Sequence, residues 1–471
     1  MNEMETPGGW RALAEAALKG APLSSLDVAL APITGQDKTL PPLAPAAEPI
    51  YAGRAQTGPW TALQRFDQDG ATAQALDDLE NGATGLQLVF AGAPAAHGRG
   101  LTANSLNKLD AALDGVRLDL IALHADAGAA ALPVLCLLLT LAQRRGTLPH
   151  TLHAGIDPIG TAAFSGGEPA MEGITEAVEM FETQGLTGTA LAADGRIAAE
   201  AGASPADELA FTLSSLLGML GTLDEGGIAP AKALPRIAIR LSANQDQFVT
   251  LAKLRAMRRL HAFVAQALDV PAQATLEVST VARMLSHTDP HTNLLRLTLA
   301  AMAAAQGGAD AIMVLPFDAE GSALSRRMAR NIQSLMRDES HLAVHSDPGA
   351  GSGTIEALTK ELAEAAWASA MAHPEGHHAQ WLTDGRFSER VDQAAQREPV
   401  IIGVTKHPPA QPLKPTMPPA PIPPGGARGD GRLSTLMALA QNGEALDLGG
   451  PPKGRSGHAL TPQRIAAPFE R

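Results

Sequence analysis

Cysteine is almost absent from this chain, which has one residue, Cys136, among 471. A single thiol cannot form an internal disulfide framework or a zinc site built from cysteines. Cys136 lies in the run ALPVLCLLLTLAQ, where its neighbours are apolar, so we expect a buried and unreactive thiol. A protein without disulfides fits a reducing compartment, and we therefore expect a cytoplasmic location.

Positive charge and long apolar runs are also scarce. Lys and Arg number 36 against 49 Asp and Glu, for a formal net charge of −13. Nucleic acids and anionic membranes bind surfaces with net positive charge, so we expect neither as a partner. The apolar run around Cys136 is shorter than a membrane span, and the start MNEMETPGGW lacks the apolar core of a secretory signal.

A hydrophobic fraction of 45% allows a sizeable core. From Gly85 onward, short β-branched runs alternate with long amphipathic segments. The predicted strands are Gly85–Phe90, Leu118–Leu123, Thr151–Gly155, Gly188–Ala192, Ile237–Leu241, Thr275–Ser279, Ala311–Leu315 and His341–His345. The predicted helices are Ser105–Leu113, Ala130–Arg144, Met171–Thr183, Ala206–Thr222, Gln247–Ala267, Thr292–Gln306, Leu324–Arg337 and Thr354–Ala372. Strand–helix units in this number predict an α/β fold, a (β/α)8 TIM barrel, with an open doubly wound sheet as the alternative.

The composition changes on both sides of the predicted barrel, which we place at residues 55–405. Residues 1–54 contain a helical segment, Trp10–Lys19, and a Pro/Ala-rich stretch. They predict an N-terminal arm that docks on a partner or on its own barrel, or is disordered. Residues 406–471 carry HPPAQPLKPTMPPAPIPPGGARGDG and predict a Pro/Gly-rich extended linker with a short helix near Thr435–Gln441.

Several long blocks resemble the barrel domain of methylmalonyl-CoA mutases. They are FVTLAKLRAMRRL, TDPHTNLLRLTLAAMAAAQGGADAIMVLPFD, RRMARNIQSLMRDESHL and DPGAGSGTIEALTKELAEAAW, and the match runs from about Trp60 to Thr405. The resemblance implies a TIM barrel and an isomerase that interconverts methylmalonyl-CoA and succinyl-CoA. It also implies adenosylcobalamin, since in this family the barrel holds the acyl-CoA and a flavodoxin-like domain supplies a cobalt-binding histidine within Asp-x-His-x-x-Gly.

The positions that carry reactive groups in catalytic members of this family are occupied differently here. In PWTALQR, Arg65 stands where a tyrosine is expected and Leu63 where an arginine is expected. Ile197 in RIAAEAGA and Met313 in AIMVLPFD stand at two histidine positions. Ile197 can neither donate a hydrogen bond nor transfer a proton. With VLPFD, ESHL and DGRIAAEAGAS, this pattern resembles the small, non-catalytic subunit of heterodimeric mutases and predicts no catalytic residue in this barrel.

The sequence contains no Asp-x-His-x-x-Gly motif. The nearest string, Asp289-Pro-His291-Thr-Asn-Leu294, lacks the glycine and lies inside a barrel block, so we interpret His291 as a polar residue at a helix start. We therefore expect this chain alone to bind no cofactor and to lack the degenerate cobalamin domain of the family's small subunits. Adenosylcobalamin is expected in the partner, a catalytic large subunit, within a heterodimer.

Two weaker signals point to the phosphates of CoA. The first is a basic helix face that either binds phosphate or is simply solvated, formed by Lys253, Arg255, Arg258 and Arg259. The second is DPGAGSG, with Gly349, Gly351 and Ser352, which follows the predicted eighth strand. Barrels often bind phosphate there through backbone N–H groups.

The remaining polar candidates have simpler interpretations. The histidines of AHPEGHH, which are His373, His377 and His378, predict an exposed loop. No cysteine supports a zinc site there, so we expect no metal. Glu200 is either a buried acid or a capping residue of the adjoining AGASP loop.

The sequence leaves three functions open. The chain is a structural subunit that stabilises a catalytic mutase chain, a catalytic barrel that borrows a cobalamin domain from a separate polypeptide, or a stand-alone acyl-CoA-binding barrel. The replaced acid–base residues favour the first function over the second.

Overall fold

The structure is a computed structural model that describes residues 7–54, 58–318, 320–372, 386–395, 400–413, 420–428, 430–449 and 459–470. Its strands are β1 (Val28–Ala29), β2 (Thr39–Leu40), β3 (Thr61–Phe66), β4 (Gly85–Val89), β5 (Ala122–Asp126), β6 (Thr151–Ile156), β7 (Gly188–Asp194), β8 (Ile237–Ala243), β9 (Leu276–Thr280) and β10 (Ala311–Met313). Its first helices are α1 (Pro7–Leu18), α2 (Ala31–Thr34), α3 (Thr72–Glu80), α4 (Leu106–Ala112), α5 (Ala131–Arg145), α6 (Pro158–Ser165), α7 (Ile174–Thr183) and α8 (Arg196–Ala201). The later helices are α9 (Pro205–Glu225), α10 (Pro230–Ala233), α11 (Gln247–Ala267), α12 (Asn293–Gln306), α13 (Ala323–Ser334), α14 (Gly353–Ala370), α15 (Arg386–Ala395) and α16 (Leu433–Gln441).

Strands β3 to β10 form a closed barrel of parallel strands. Each strand pairs with its neighbours in chain order, and β10 closes the barrel by pairing with β3. The helices that follow the strands surround the barrel, and the main hydrophobic core lies between the two layers. The predicted (β/α)8 TIM barrel is therefore confirmed.

Local sequence signals set the starts of the long helices. The Ser204 hydroxyl accepts the N–H of Asp207 at the start of α9, where Pro205 occupies the first turn. Asp246 accepts the N–H of Val249 at the start of α11. Helix α11 consequently has the bounds predicted from the sequence, Gln247–Ala267.

The predicted eighth strand, His341–His345, is wrong. His341 has a left-handed φ of 53°, and residues 341–345 form a turn after the π-helical segment Leu335–Glu339. The missing barrel strand is β3, whose mixture of apolar and polar residues hid it from a search for β-branched runs. The second predicted strand is shifted to β5, because Leu118–Leu120 forms a 3-10 turn.

The N-terminal arm lies mainly against the outside of its own barrel. Leu30 and Ile33 are buried next to α9 and α14. The N–H of Ala52 donates to Asp347 Oδ2 at 2.8 Å, which fixes the end of the arm beside the amino-terminal end of the barrel. Helix α1 differs, because Leu13 in its centre is 55% exposed.

The C-terminal segment returns to the barrel instead of leaving it. Helix α16 packs on α5 and confirms the short helix predicted near Thr435–Gln441. Beyond it, three backbone N–H groups join the segment to the barrel: Leu460 donates to Ala163, Gln463 to Glu200 and Ile465 to Arg283, at 2.8 to 2.9 Å. The described end of the chain therefore crosses the carboxyl-terminal mouth of the barrel. Among the described residues, no helix is long and apolar enough to span a membrane.

Candidate functional site

The three replaced family positions meet at the carboxyl-terminal mouth of the barrel. Ile197 and Met313 line one small cavity together with Glu200. Arg65 lines an adjoining cleft of about 220 Å³, which also includes Glu200 and is bordered by Gln463 of the C-terminal segment. Active sites of TIM barrels lie at this end, so the structure brings the three positions to the place where a catalytic site is expected.

Arg65 is anchored in place by its neighbours. Its side chain is buried, and its Nε donates to Asp67 Oδ2 at 2.6 Å, while its two terminal nitrogens donate to the carbonyls of Ala95 and Ala96 at 2.8 Å. Burial raises the pKa of Asp67, but Arg65, Arg326 and Arg99 lower it further, so the carboxyl titrates well below its usual range. Arg65 therefore holds a loop together and is not free to act on a substrate.

Ile197 and Met313 add only apolar surface to the mouth. Ile197 lies in α8 and is 5% exposed, and Met313 ends β10 and is 2% exposed. Neither side chain exchanges a proton at neutral pH. The mouth thus lacks general acids and bases at these three positions.

Glu200 and His97 are the titratable pair within the mouth. Glu200 accepts the N–H groups of Ala282 and Arg283 at 2.7 and 2.9 Å, so it is a buried acid that binds the turn after β9 and not the AGASP loop. Burial raises the pKa of Glu200 to about 7, against the lowering effect of these two donors. His97 Nε2 lies 3.6 Å from Glu200 Oε1, and burial lowers the pKa of this histidine.

Sequence analysis missed His97 because no motif surrounds it. Its φ of 48° places it in the left-handed region, at the end of a short turn after β4. The AHGRG stretch offered a weak turn signal but nothing that pointed to the barrel mouth.

Below the mouth, charged side chains fill the lumen of the barrel. Arg196 extends from the start of α8 to bind Asp194, and its Nη2 donates to Asp126 Oδ2 at 2.8 Å. Burial alone lowers the pKa of Arg196, but the two carboxylates raise it well above its usual value, so the guanidinium stays charged. One level lower, Arg240 Nε donates to Glu277 Oε2 at 2.9 Å.

Gly155 makes room for the Arg240 side chain. This glycine has a φ of 65°, and a Cβ at its position would lie 2.5 Å from both terminal nitrogens of Arg240. The guanidinium passes over Gly155 and donates from Nη2 to the carbonyl of Ala125 at 2.9 Å. Arg240 is only 2% exposed. Its side chain therefore occupies the axis of the barrel, where a bound acyl chain would have to lie in a barrel that takes substrate through its lumen.

The predicted basic face of α11 is buried and ion-paired. Lys253 Nζ donates to Glu208 and, at 2.7 Å, to Ser242 Oγ. Arg255 is fully buried and pairs with Asp347 at 3.0 Å and with Glu356 at 2.7 Å. The solvated-face alternative is thus wrong for both residues, and the structure does not bring them to the mouth of the barrel.

The glycine-rich loop lies at the opposite end of the barrel from the mouth. Because His341–His345 is not a barrel strand, the premise that Gly349, Gly351 and Ser352 follow one is wrong. The N–H of Gly349 donates to Asp347 Oδ1 at 3.2 Å and that of Gly351 to Glu356 Oε1 at 3.0 Å. The N–H of Ser352 donates to the carbonyl of Gly349 at 3.2 Å. The Asp347 and Glu356 carboxylates and the Gly349 carbonyl already accept from the donors that a phosphate would need.

The segment Asp289–Leu294, which is nearest to the cobalamin motif, does not present His291 as a cobalt ligand. The His291 side chain is exposed just before α12, and its ring packs against Phe317 with a centroid distance of 5.6 Å. Asp289 is engaged by the hydroxyl of Thr292. His291 therefore belongs to the start of α12, as the sequence predicted. The histidines His373, His377 and His378 lie outside the described residues.

Comparisons with known proteins bear on the whole barrel. The family described as methylmalonyl-CoA mutase matches residues 33–407. The methylmalonyl-CoA mutase small subunit of Streptomyces virginiae is 37% identical over 395 residues, covering 78% of this chain and 62% of that protein. The probable small subunit of Mycobacterium tuberculosis (strain ATCC 25618 / H37Rv) is 33% identical over 379 residues, covering 74% of this chain and 59% of that protein.

The large subunit of Streptomyces virginiae is also similar, with 27% identity over 414 residues, which cover 79% of this chain and 56% of that protein. The chain thus spans roughly three fifths of the length of the small subunits, 62% and 59% in the two compared. The family match covers most of the chain and includes β3 to β10, which build the mouth and the lumen. With its closed barrel and the family positions gathered at the mouth, this chain belongs to the methylmalonyl-CoA mutase family.

Proposed function

We propose that this chain is a non-catalytic, structural subunit of a methylmalonyl-CoA mutase. In this proposal it pairs with a catalytic large subunit that binds adenosylcobalamin and interconverts methylmalonyl-CoA and succinyl-CoA. The observation that carries the proposal is the convergence of Arg65, Ile197 and Met313 at the mouth. An anchored guanidinium, an aliphatic chain and a thioether stand where the family's reactive side chains are expected.

The lumen supports the same conclusion. A barrel that binds acyl-CoA along its axis needs an open lumen, whereas here Arg240 and Glu277 cross the axis as a buried ion pair. Replacing or displacing such a pair leaves a charge without a partner in a medium of low dielectric constant. The pair therefore favours a permanently filled barrel over one that opens for substrate.

The pattern of similarity agrees with a small-subunit role. Identity to the small subunit of Streptomyces virginiae is 37%, against 27% to the large subunit of the same organism, over similar shares of this chain. The pairing with a large subunit is proposed by analogy with those two proteins. A barrel without catalytic residues has no need of a shielded cavity. In this proposal its functional surface is therefore the interface with the large subunit.

The second candidate is a catalytic barrel that uses a cobalamin domain from another polypeptide. The cleft of about 220 Å³ and the Glu200–His97 pair favour this alternative. Glu200 has a pKa of about 7 and could exchange a proton near neutrality. We place it second because the C-terminal segment crosses this cleft and the three family positions carry no acid or base.

Reconstitution distinguishes the two candidates. The chain would be mixed with a catalytic mutase chain that carries Asp-x-His-x-x-Gly, and complex formation and turnover of methylmalonyl-CoA would be measured with adenosylcobalamin. We expect a complex on size-exclusion chromatography and no turnover by this chain alone. The visible spectrum of adenosylcobalamin should not change when only this chain is added. Met313→Leu, which conserves volume, should leave kcat of the complex unchanged.

Two results would contradict the proposal. One is turnover by this chain in the presence of a separate cobalamin-domain protein and without the catalytic chain. The other is a saturable micromolar change in the spectrum of adenosylcobalamin when only this chain is added. Either result would favour the second candidate.

A further inference from the structure

Three potential metal ligands meet inside the barrel, below the Arg196 ion pairs. They are His124 of β5, His153 of β6 and Glu277 of β9, called here the lumen trio. His124 and His153 are register partners on adjacent strands, and their rings stack with a centroid distance of 4.2 Å. One ligand atom from each of the three side chains lies within 4.8 Å of the other two. All three residues are buried.

The trio is short of hydrogen bonds. Both ring nitrogens of His124 and Oε1 of Glu277 are buried without a hydrogen bond of good geometry, although His124 Nδ1 and His153 Nδ1 lie 3.2 and 3.1 Å from the Glu277 carboxylate. Buried polar atoms of proteins normally have partners, so each exception calls for a missing group such as a water or an ion. His124 is 1% exposed, and its ring lies against the face of His153, so this group would have to sit inside the lumen.

The distances suit a small divalent cation. His124 Nδ1 lies 3.2 Å from Glu277 Oε2, and His153 Nδ1 lies 3.1 Å from Glu277 Oε1. Zinc bonds of about 2.0–2.1 Å in a tetrahedral site place neighbouring ligand atoms about 3.3–3.4 Å apart. Thr189 Oγ1 forms a hydrogen bond with His153 Nδ1 at 2.9 Å. Both Nδ1 atoms face the same Glu277 carboxylate.

The Glu277 carboxylate contacts Arg240 and both histidines. Arg240 occupies Oε2 of Glu277 and leaves Oε1 available. The positive charge of Arg240 is itself opposed by Asp126 and Asp194, which lie above it in the lumen.

We propose that the lumen trio binds one divalent transition-metal ion, zinc in the first instance, as a structural site that ties β5, β6 and β9 together across the barrel. Two imidazoles and a carboxylate form a donor set typical of zinc, cobalt and iron sites. The sequence analysis predicted no metal because the three ligands are separated by strands and helices and share no motif. The site lies below the mouth and uses none of the mouth's residues, while its ligand Glu277 also belongs to the ion pair with Arg240.

The test measures metal content of the full-length chain. The protein would be produced in medium supplemented with Zn²⁺, and in parallel with Co²⁺, then passed through size-exclusion chromatography and assayed by elemental analysis. We expect about one zinc per chain, and visible absorption bands of tetrahedral cobalt in the Co²⁺ protein. The double variant His124→Gln with His153→Gln should retain less than about a tenth of the wild-type metal.

His261→Gln provides the matched control. His261 is as buried as His124, at 1% exposure, but lies on α11 outside the barrel lumen, so this variant should keep its metal. Equal metal content in the double variant and the wild type would overturn the proposal. If the double variant does not fold, metal retention by the wild type is the test. A wild type that retains no zinc and shows the cobalt spectrum of the hydrated ion would also overturn the proposal.

Discussion

Replacing Lys253 by methionine tests whether the basic residues of α11 serve the fold or a ligand. Lys253 and Glu208 form a buried ion pair with side-chain exposures of 2% and 3%. Methionine has a similar length and fills the space, but it leaves the Glu208 carboxylate without its cation. Glu208 retains two donors from Ser242, the backbone N–H at 2.6 Å and the hydroxyl at 2.8 Å.

Removing one partner of a buried ion pair typically costs about 3–5 kcal/mol. We expect Lys253→Met to lower the free energy of unfolding by an amount near the lower end, about 3 kcal/mol, because Ser242 still stabilises the carboxylate. Adding Glu208→Gln to Lys253→Met should recover most of the lost free energy of unfolding, since neither buried charge then remains. Urea unfolding followed by circular dichroism would measure the free energy of unfolding of the wild type, of Lys253→Met and of the double variant.

Lys360→Met is the matched control. Lys360 is 62% exposed, and its Nζ lies 3.8 Å from Glu364 on the surface of α14, so its loss should cost less than about 1 kcal/mol. The reasoning would be refuted if Lys253→Met unfolded like the wild type while weakening the binding of an acyl-CoA. That outcome would return Lys253 to its predicted role as a phosphate ligand.

Three further predictions follow from the mouth and the arm. Ile197→His should not produce mutase turnover by this chain, since Arg65 and Met313 still lack the required groups and residues that act as a unit are not rescued singly; measurable conversion of methylmalonyl-CoA would contradict this. Deleting residues 1–20 removes the exposed helix α1 and spares the packed part of the arm. The barrel should remain folded, but its association with the catalytic chain on size-exclusion chromatography should weaken. An undiminished complex would refute a role of α1 in this association. The pKa of Glu200 is raised to about 7 in the fold, so the free energy of unfolding should fall by up to about 3 kcal/mol as pH rises from about 4.5 to 7. Glu200→Gln should remove this part of the pH dependence. Identical pH profiles of the variant and the wild type would contradict this prediction.

The helical periods of the sequence predicted most of the outer layer of the fold. Apolar spacing placed α11 correctly to the residue, because helical periodicity is a local signal, and the structure adds the Asp246 cap at its start. The strands were less well predicted. Strand β3 carries Gln64 and Arg65, and its polar residues could be recognised as strand residues only once their partners, such as Arg326 and the loop after β4, were known.

The three residues that the resemblance identified lie at the mouth, but the chemistry of the charged residues depended on tertiary contacts. Helical spacing shows that Lys253 and Arg255 share a region of α11, yet it cannot show that α9 and α14 cover them with carboxylates. A basic stripe therefore looks the same in sequence whether it faces solvent, a phosphate or a buried acid.

The sequence by itself determined the alternation of strands and helices, the family and the residue types of Arg65, Ile197 and Met313. These properties depend on residue type and local period, which the chain carries at each position. Only the tertiary structure decided what fills the lumen, because closing β10 onto β3 brings together side chains far apart in the chain. The lumen trio is the clearest example: His124, His153 and Glu277 meet only in the closed barrel.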